Sequence, residues 1–160
     1  MKDVFKIGVI GCGDISTRNY VPNITSRFRN MEIYALCDLD RERAMALAAK
    51  HGIPHVLTLD EIYEDSEIDV ILNLTNPQAH YDVNMRALRA GKHVYSEKPL
   101  GLTLQEASDI VRLAEEKNLY VGCAPDVFLG AGVQTCRKVI EDGVIGEVLS
   151  AKVANMYHGP

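Results

Sequence analysis

Lys6-Ile7-Gly8-Val9-Ile10-Gly11-Cys12-Gly13-Asp14-Ile15-Ser16 decides the fold of this chain. Lys6 to Ile10 is an apolar run and reads as a strand. Asp14 to Phe28 reads as a helix, disturbed at Pro22. Between them Gly11 and Gly13 supply what a sharp strand-to-helix turn needs: freedom from Cβ, and backbone that another group can approach closely. The unpaired N–H groups of the following helix and its dipole then favour an anion, a phosphate above all. Ser16 stands where a third glycine is usual and is still small enough for strand and helix to pack.

Working outward, the alternation continues. Strands are expected at Glu32–Cys37, His55–Leu57, Asp69–Leu74, His93–Tyr95, Leu119–Cys123 and Glu147–Asn155. Helices are expected over 40–51, 59–65, 77–90, 103–118 and 130–142. Gly52 and Gly91 stand where C-cap glycines stand, and Thr103-x-x-Glu106 has the form of a capping box. Strands rich in Val, Ile and Leu that alternate with helices imply a parallel sheet buried on both faces. The expected fold is α/β, a doubly wound parallel sheet of the Rossmann NAD(P)-binding type. The portion from about Pro125 need not belong to the same sheet.

In such a sheet ligands lie at the carboxyl ends of the strands. Asp38 ends the second strand, 25 residues after Gly13. A carboxylate there can accept the two hydroxyls of an adenosine ribose and repel a 2′-phosphate, so NAD is expected before NADP. Asp38 could instead cap the next helix. Asp14 sets a negative charge beside the phosphate position and reads as a helix cap, and Arg41 and Arg43 keep NADP possible. Three further loops share this edge: Thr75-Asn76-Pro77-Gln78-Ala79-His80, Ser96-Glu97-Lys98-Pro99-Leu100, and Ala124-Pro125-Asp126-Val127-Phe128.

Composition excludes several classes. The 17 basic and 22 acidic residues show no basic stripe, which argues against nucleic acid. No apolar run reaches the ~20 residues of a membrane span. The N-terminus lacks a signal-peptide layout, and the cytoplasm is the expected location. Cys12, Cys37, Cys123 and Cys136 form no Cys-x-x-Cys pair, so neither a disulfide framework nor a metal site is expected.

Gly11-Cys12-Gly13-Asp14-Ile15, Asn76-Pro77 with His80, Gly91-Lys92-His93-Val94 and above all Glu97-Lys98-Pro99 resemble the Gfo/Idh/MocA oxidoreductases. The stretches 124–132 and 142–146 resemble one branch of that family. The resemblance implies a Rossmann domain over 1–124, the beginning of a second α/β domain over 125–160, and hydride transfer between a nicotinamide and a sugar, cyclitol or related alcohol. It implies a cofactor site of Gly11, Gly13, Asp14, Ile15, Asp38, Thr75, Asn76, Pro77, His80, Glu97 and Lys98. Lys98 would stabilise the substrate alkoxide and relay its proton if the amine is partly buried, and His80 stands near the active site, as a catalytic residue or as a cap. Pro99 restricts Lys98 to extended geometry and could close a cis bond. His93 reads as structural, and Asp126 and His158 carry no firm role. Family members are about twice this length. The chain is therefore expected to be a cofactor-binding part, with little turnover alone, of a homo-oligomeric enzyme. The competing reading is a non-catalytic NAD(H)-binding sensor.

Overall fold

The structure, a computed structural model, describes residues 4–154 and 156. It divides into two compact units, Met1–Ala124 and Pro125–Pro160.

The first unit holds strands β1 (Phe5–Ile10), β2 (Met31–Cys37), β3 (His55–Val56), β4 (Val70–Asn73), β5 (His93–Ser96) and β6 (Val121–Cys123). All five pairings are parallel, in the order β3-β2-β1-β4-β5-β6. The order reverses between β1 and β4, which opens a crevice at their carboxyl ends. The helices are α1 (Val21–Arg27), α2 (Arg41–His51), α3 (Leu59–Glu64), α4 (His80–Arg89) and α5 (Leu104–Glu116).

Successive strand residues point to opposite faces, and each face has its own core. Ile7, Val9, Ile33, Leu36 and Leu72 pack with Val21, Ile24, Ala44 and Leu47 of α1 and α2. Ala35, Cys37, Ile71 and Val94 pack with Ile62, Leu88 and Ile110 of α3, α4 and α5. The β1–β2 register slips between Ile7 and Gly8, and a Cβ on Gly8 would come within 3.0 Å of Ile62. Asp40, Thr58 and Thr103 cap α2, α3 and α5.

Two expectations are corrected. The first helix is not uniform: helical residues start at Asp14, Ser16–Tyr20 form a π-turn in which Val21 N donates to Ser16 O, and α1 proper comes next. Pro22 explains where the ladder gives way, since it has no N–H to continue it. The second unit contains a 3₁₀ turn (Val127–Leu129) and α6 (Ala131–Glu141), but residues 147–154 form no strand. A strand exists only where a neighbour accepts and donates its backbone hydrogen bonds, and an apolar, β-branched run does not supply that neighbour. Asn155 and His158 lie outside the described residues.

Candidate cofactor site

The sheet ladder continues past the strand ends and gathers the loops. Gly11 N donates to Cys37 O (2.8 Å), Leu74 N to Ile10 O (2.8 Å), Glu97 N to Asn73 O (2.9 Å) and Ala124 N to Ser96 O (3.0 Å). The segments after β1, β2, β4, β5 and β6 are thereby fixed along one edge.

On the β1–β2 side, Gly11 turns at φ 99°, and a Cβ there would stand 2.6 Å from Leu74 O. Only glycine fits such a turn. Around the missing Cβ of Gly13 there is nothing within 4 Å. The first helical bond joins Thr17 N to Gly13 O at 3.0 Å, which leaves the Asp14 and Ile15 amides without an intrahelical acceptor. Open space beside glycine backbone, with helix-start amides adjoining it, is the arrangement a pyrophosphate requires.

The Asp38 side chain is 9% exposed. Its Oδ2 accepts from Cys12 N at 2.6 Å and its Oδ1 from Asp40 N at 2.8 Å. The cap of α2 is Asp40, whose carboxylate accepts from Arg43 N, so Asp38 is not spent on capping. It ties the glycine loop to the end of β2 instead. Arg43 Nη1 stands 3.6 Å from Asp38 Oδ1. Among the described residues the Asp14 carboxylate meets no helix amide; it pairs with Arg18 at 2.6 Å, both side chains exposed. Burial, then the Asp38 charge, pushes the Cys12 thiol up to about 12 and the Cys37 thiol up to about 11, so neither is a ready nucleophile.

The β4–β5 side is built from side chains. Asn73, Asn84 and Ser96 are each wholly buried. Asn73 Nδ2 donates to Asn84 Oδ1 (2.8 Å), and Asn73 Oδ1 accepts from Thr75 Oγ1 (2.7 Å). Asn84 Nδ2 donates to Ser96 Oγ (3.2 Å) and Leu100 O (3.4 Å). His80, 1% exposed, has Nδ1 2.6 Å from Pro99 O and Nε2 3.1 Å from Thr75 O. Asn76 caps the 3₁₀ turn Pro77–Ala79 through its Oδ1 on Ala79 N. Glu97 accepts from Tyr20 Oη at 2.9 Å and from Lys98 N at 3.0 Å. The Lys98–Pro99 bond is cis, and the Lys98 side chain is exposed rather than half-buried.

The edge thus brings Gly11, Gly13, Asp14, Ile15 and Asp38 to one side, and Thr75, Asn76, Pro77, His80, Glu97 and Lys98 to the other. Sequence reasoning missed Asn73, Asn84, Ser96 and Tyr20. Asn84 carried one signal: it lies four residues after His80, on the same helix face. His93 is structural, its Nδ1 accepting from Tyr120 N at 3.0 Å. No helix among the described residues is long and apolar enough to cross a membrane.

Several known proteins resemble this chain. It is 30% identical over 154 residues to 1,5-anhydro-D-fructose reductase of Ensifer adhaerens, covering 96% of this chain and 46% of that protein. It is 31% identical over 155 residues to inositol 2-dehydrogenase/D-chiro-inositol 3-dehydrogenase of Lactiplantibacillus plantarum, covering 91% and 42%. The crystal structure of KijD10, a 3-ketoreductase from Actinomadura kijaniata in complex with TDP-benzene and NADP, superposes with TM-score 0.82 at 29% identity, covering 90% of this chain and 45% of that one. The chain therefore spans less than half the length of these relatives. Residues 5–124 match the oxidoreductase family with an NAD-binding Rossmann fold, and the chain belongs to that Gfo/Idh/MocA family.

Proposed function

We propose that the complete protein transfers a hydride between a nicotinamide and a carbinol carbon of a sugar, cyclitol or related alcohol, this chain supplying the cofactor side. The observation that carries the reading is the Glu97-Lys98 loop, held at both flanks beside the crevice where the strand order reverses. Bound NAD(P) would supply the hydride acceptor or donor. Gly11, Gly13 and the amides of Asp14 and Ile15 would hold the pyrophosphate, and Asp38 the adenosine ribose. Thr75, Asn76 and Pro77 would line the nicotinamide side. Lys98 Nζ, on an exposed side chain at the crevice, would donate to the substrate oxygen and take up its proton. With both ring nitrogens on backbone carbonyls, His80 is best suited to holding the two loops against each other. NAD is favoured by Asp38, and Arg43 beside it leaves NADP open. We further propose that the unit from Pro125 begins the substrate-side domain, that the protein is a homo-oligomer, and that it works in the cytoplasm, where its four free thiols stay reduced.

Thermal unfolding with NAD⁺ and with NADP⁺ tests the cofactor assignment. A ligand at a hundredfold its Kd adds ~2.7 kcal/mol, roughly 5–10 °C for a domain of this size. Asp38→Ala is expected to shrink the NAD⁺ shift and narrow the preference over NADP⁺. A preference left unchanged would remove Asp38 from the cofactor site. In the complete protein, Lys98→Ala should lower kcat far more than cofactor affinity, and equal losses would make Lys98 a binding residue only.

A further inference from the structure

The π-turn does something that neither the glycine loop nor the Lys98 loop requires. An extra residue in a helical turn rotates the chain beyond it by about a third of a turn. Here the last residue of the widened turn is Tyr20, and its hydroxyl donates to Glu97 Oε1 at 2.9 Å, across 77 positions of sequence. The other oxygen of the same carboxylate, Oε2, accepts from the Lys98 amide at 3.0 Å. The ring is seated as well. It lies 6.4 Å from Tyr95, tilted by 58°, within the range of favourable aromatic pairs. Tyr95 in turn fills the space left by Gly122, where a Cβ would stand 2.9 Å from its Cδ2. So the π-turn meets β5 and β6 through the Tyr20 and Tyr95 rings, and the Lys98 loop through one hydroxyl and one carboxylate.

We infer that Tyr20 is a positioning residue: by fixing the Glu97 carboxylate it sets the Lys98 backbone, and it ties the helix after the glycine loop to the loop on the nicotinamide side. Hydrogen bonds to an ionised acceptor are the strong ones, and this carboxylate has one bond from each partner. Without the Tyr20 hydroxyl, Glu97 keeps only a bond to its own neighbour and is free to turn away with it. The inference rests on the cofactor reading only for its consequence, since the contact itself lies within the first unit.

The test uses this chain with Tyr20→Phe, which keeps the ring against Tyr95 and removes only the hydroxyl. Amide exchange at Lys98, read by NMR, is expected to quicken about tenfold, the ratio that one net hydrogen bond sets. The Tm should move little, and Glu97→Ala should abolish the difference between Tyr20 and Phe. The emission of bound NADH should change while the affinity for ADP-ribose, which lacks nicotinamide, stays the same. An unchanged Lys98 exchange rate in a folded Tyr20→Phe chain would overturn the inference. Should that variant fail to fold, the Tyr20 hydroxyl proton of the parent chain is read by NMR instead, and a hydroxyl in free exchange with water overturns the inference equally. Absence of NADH binding would strike the cofactor reading, while the Lys98 exchange rate would still decide the role of Tyr20.

Discussion

The two ends of the crevice are made by different means. At the carboxyl ends of β1 and β2 the backbone does the shaping: a positive φ at Gly11, open space at Gly13, and one carboxylate, Asp38, that fastens the loop. At the ends of β4 and β5 the shape comes from side chains, with Asn73, Asn84, Ser96 and His80 linking two loops through buried hydrogen bonds. On the proposed reading the difference matches the task of each end. A pyrophosphate needs room and N–H groups, which backbone supplies without side chains. A reacting amine needs one fixed direction, which only a satisfied polar network imposes. The first end is thus a mould and the second a mount.

The sharpest way to separate them is to add one methyl group. Gly11→Ala should cost about 3 kcal/mol in denaturant unfolding, because its Cβ would lie 2.6 Å from a backbone oxygen at φ 99°. Gly13→Ala, with nothing within 4 Å, should leave stability within about 1 kcal/mol and yet weaken NAD⁺ binding about tenfold or more. Similar stability losses in the two would mean that Gly13 is structural.

The mount is broken through Asn84. Asn84→Leu should destabilise by about 2–3 kcal/mol, since Asn73 is left with His80 O as its one amide acceptor while Ser96 and Leu100 O lose their donor. A midpoint shift below about 0.5 kcal/mol would show that the network is not what fixes these loops.

The smallest effect has the opposite sign. Ser16 Oγ is buried with no partner among the described residues. Ser16→Ala should therefore raise stability by about 1 kcal/mol. A loss in calorimetry would mean that the hydroxyl has a water or ligand partner.

The mould was far more legible in the sequence than the mount. Gly11, Gly13 and Asp38 can be picked out from local pattern, because strand, turn, helix and acid occur in fixed order along the chain. Asn73 sits in the apolar run Asp69–Leu74 and Asn84 on a buried helix face shared with His80, Val83 and Leu88, and nothing local tells a polar residue which distant partner will satisfy it. Capping shows the same limit at short range. Thr103 and Glu106 have the spacing of a capping box, but Glu106 accepts from Leu102 N. Thr58 and Glu61, with the same spacing, close both halves. The strands of the sheet could be read because apolar runs mark them. The one expected over 147–155 is missing from its described residues because pairing, not propensity, makes a strand.

The reversal of strand order between β1 and β4 also has a kinetic consequence. β1–β2 and β4–β5 join residues some two dozen apart, whereas β1–β4 joins Ile7 to Val70. Closing the longer loop costs more entropy, so the central pairing is expected to form after its flanks. The crevice lies along that last seam, and an intermediate with both halves folded but unjoined would have no nucleotide site. In refolding, NADH emission should then lag behind helical ellipticity, and simultaneous recovery of the two signals would mean that the seam closes with its halves. The cofactor would select for the finished sheet, making nucleotide supply a term in the yield of folded protein as well as in its chemistry.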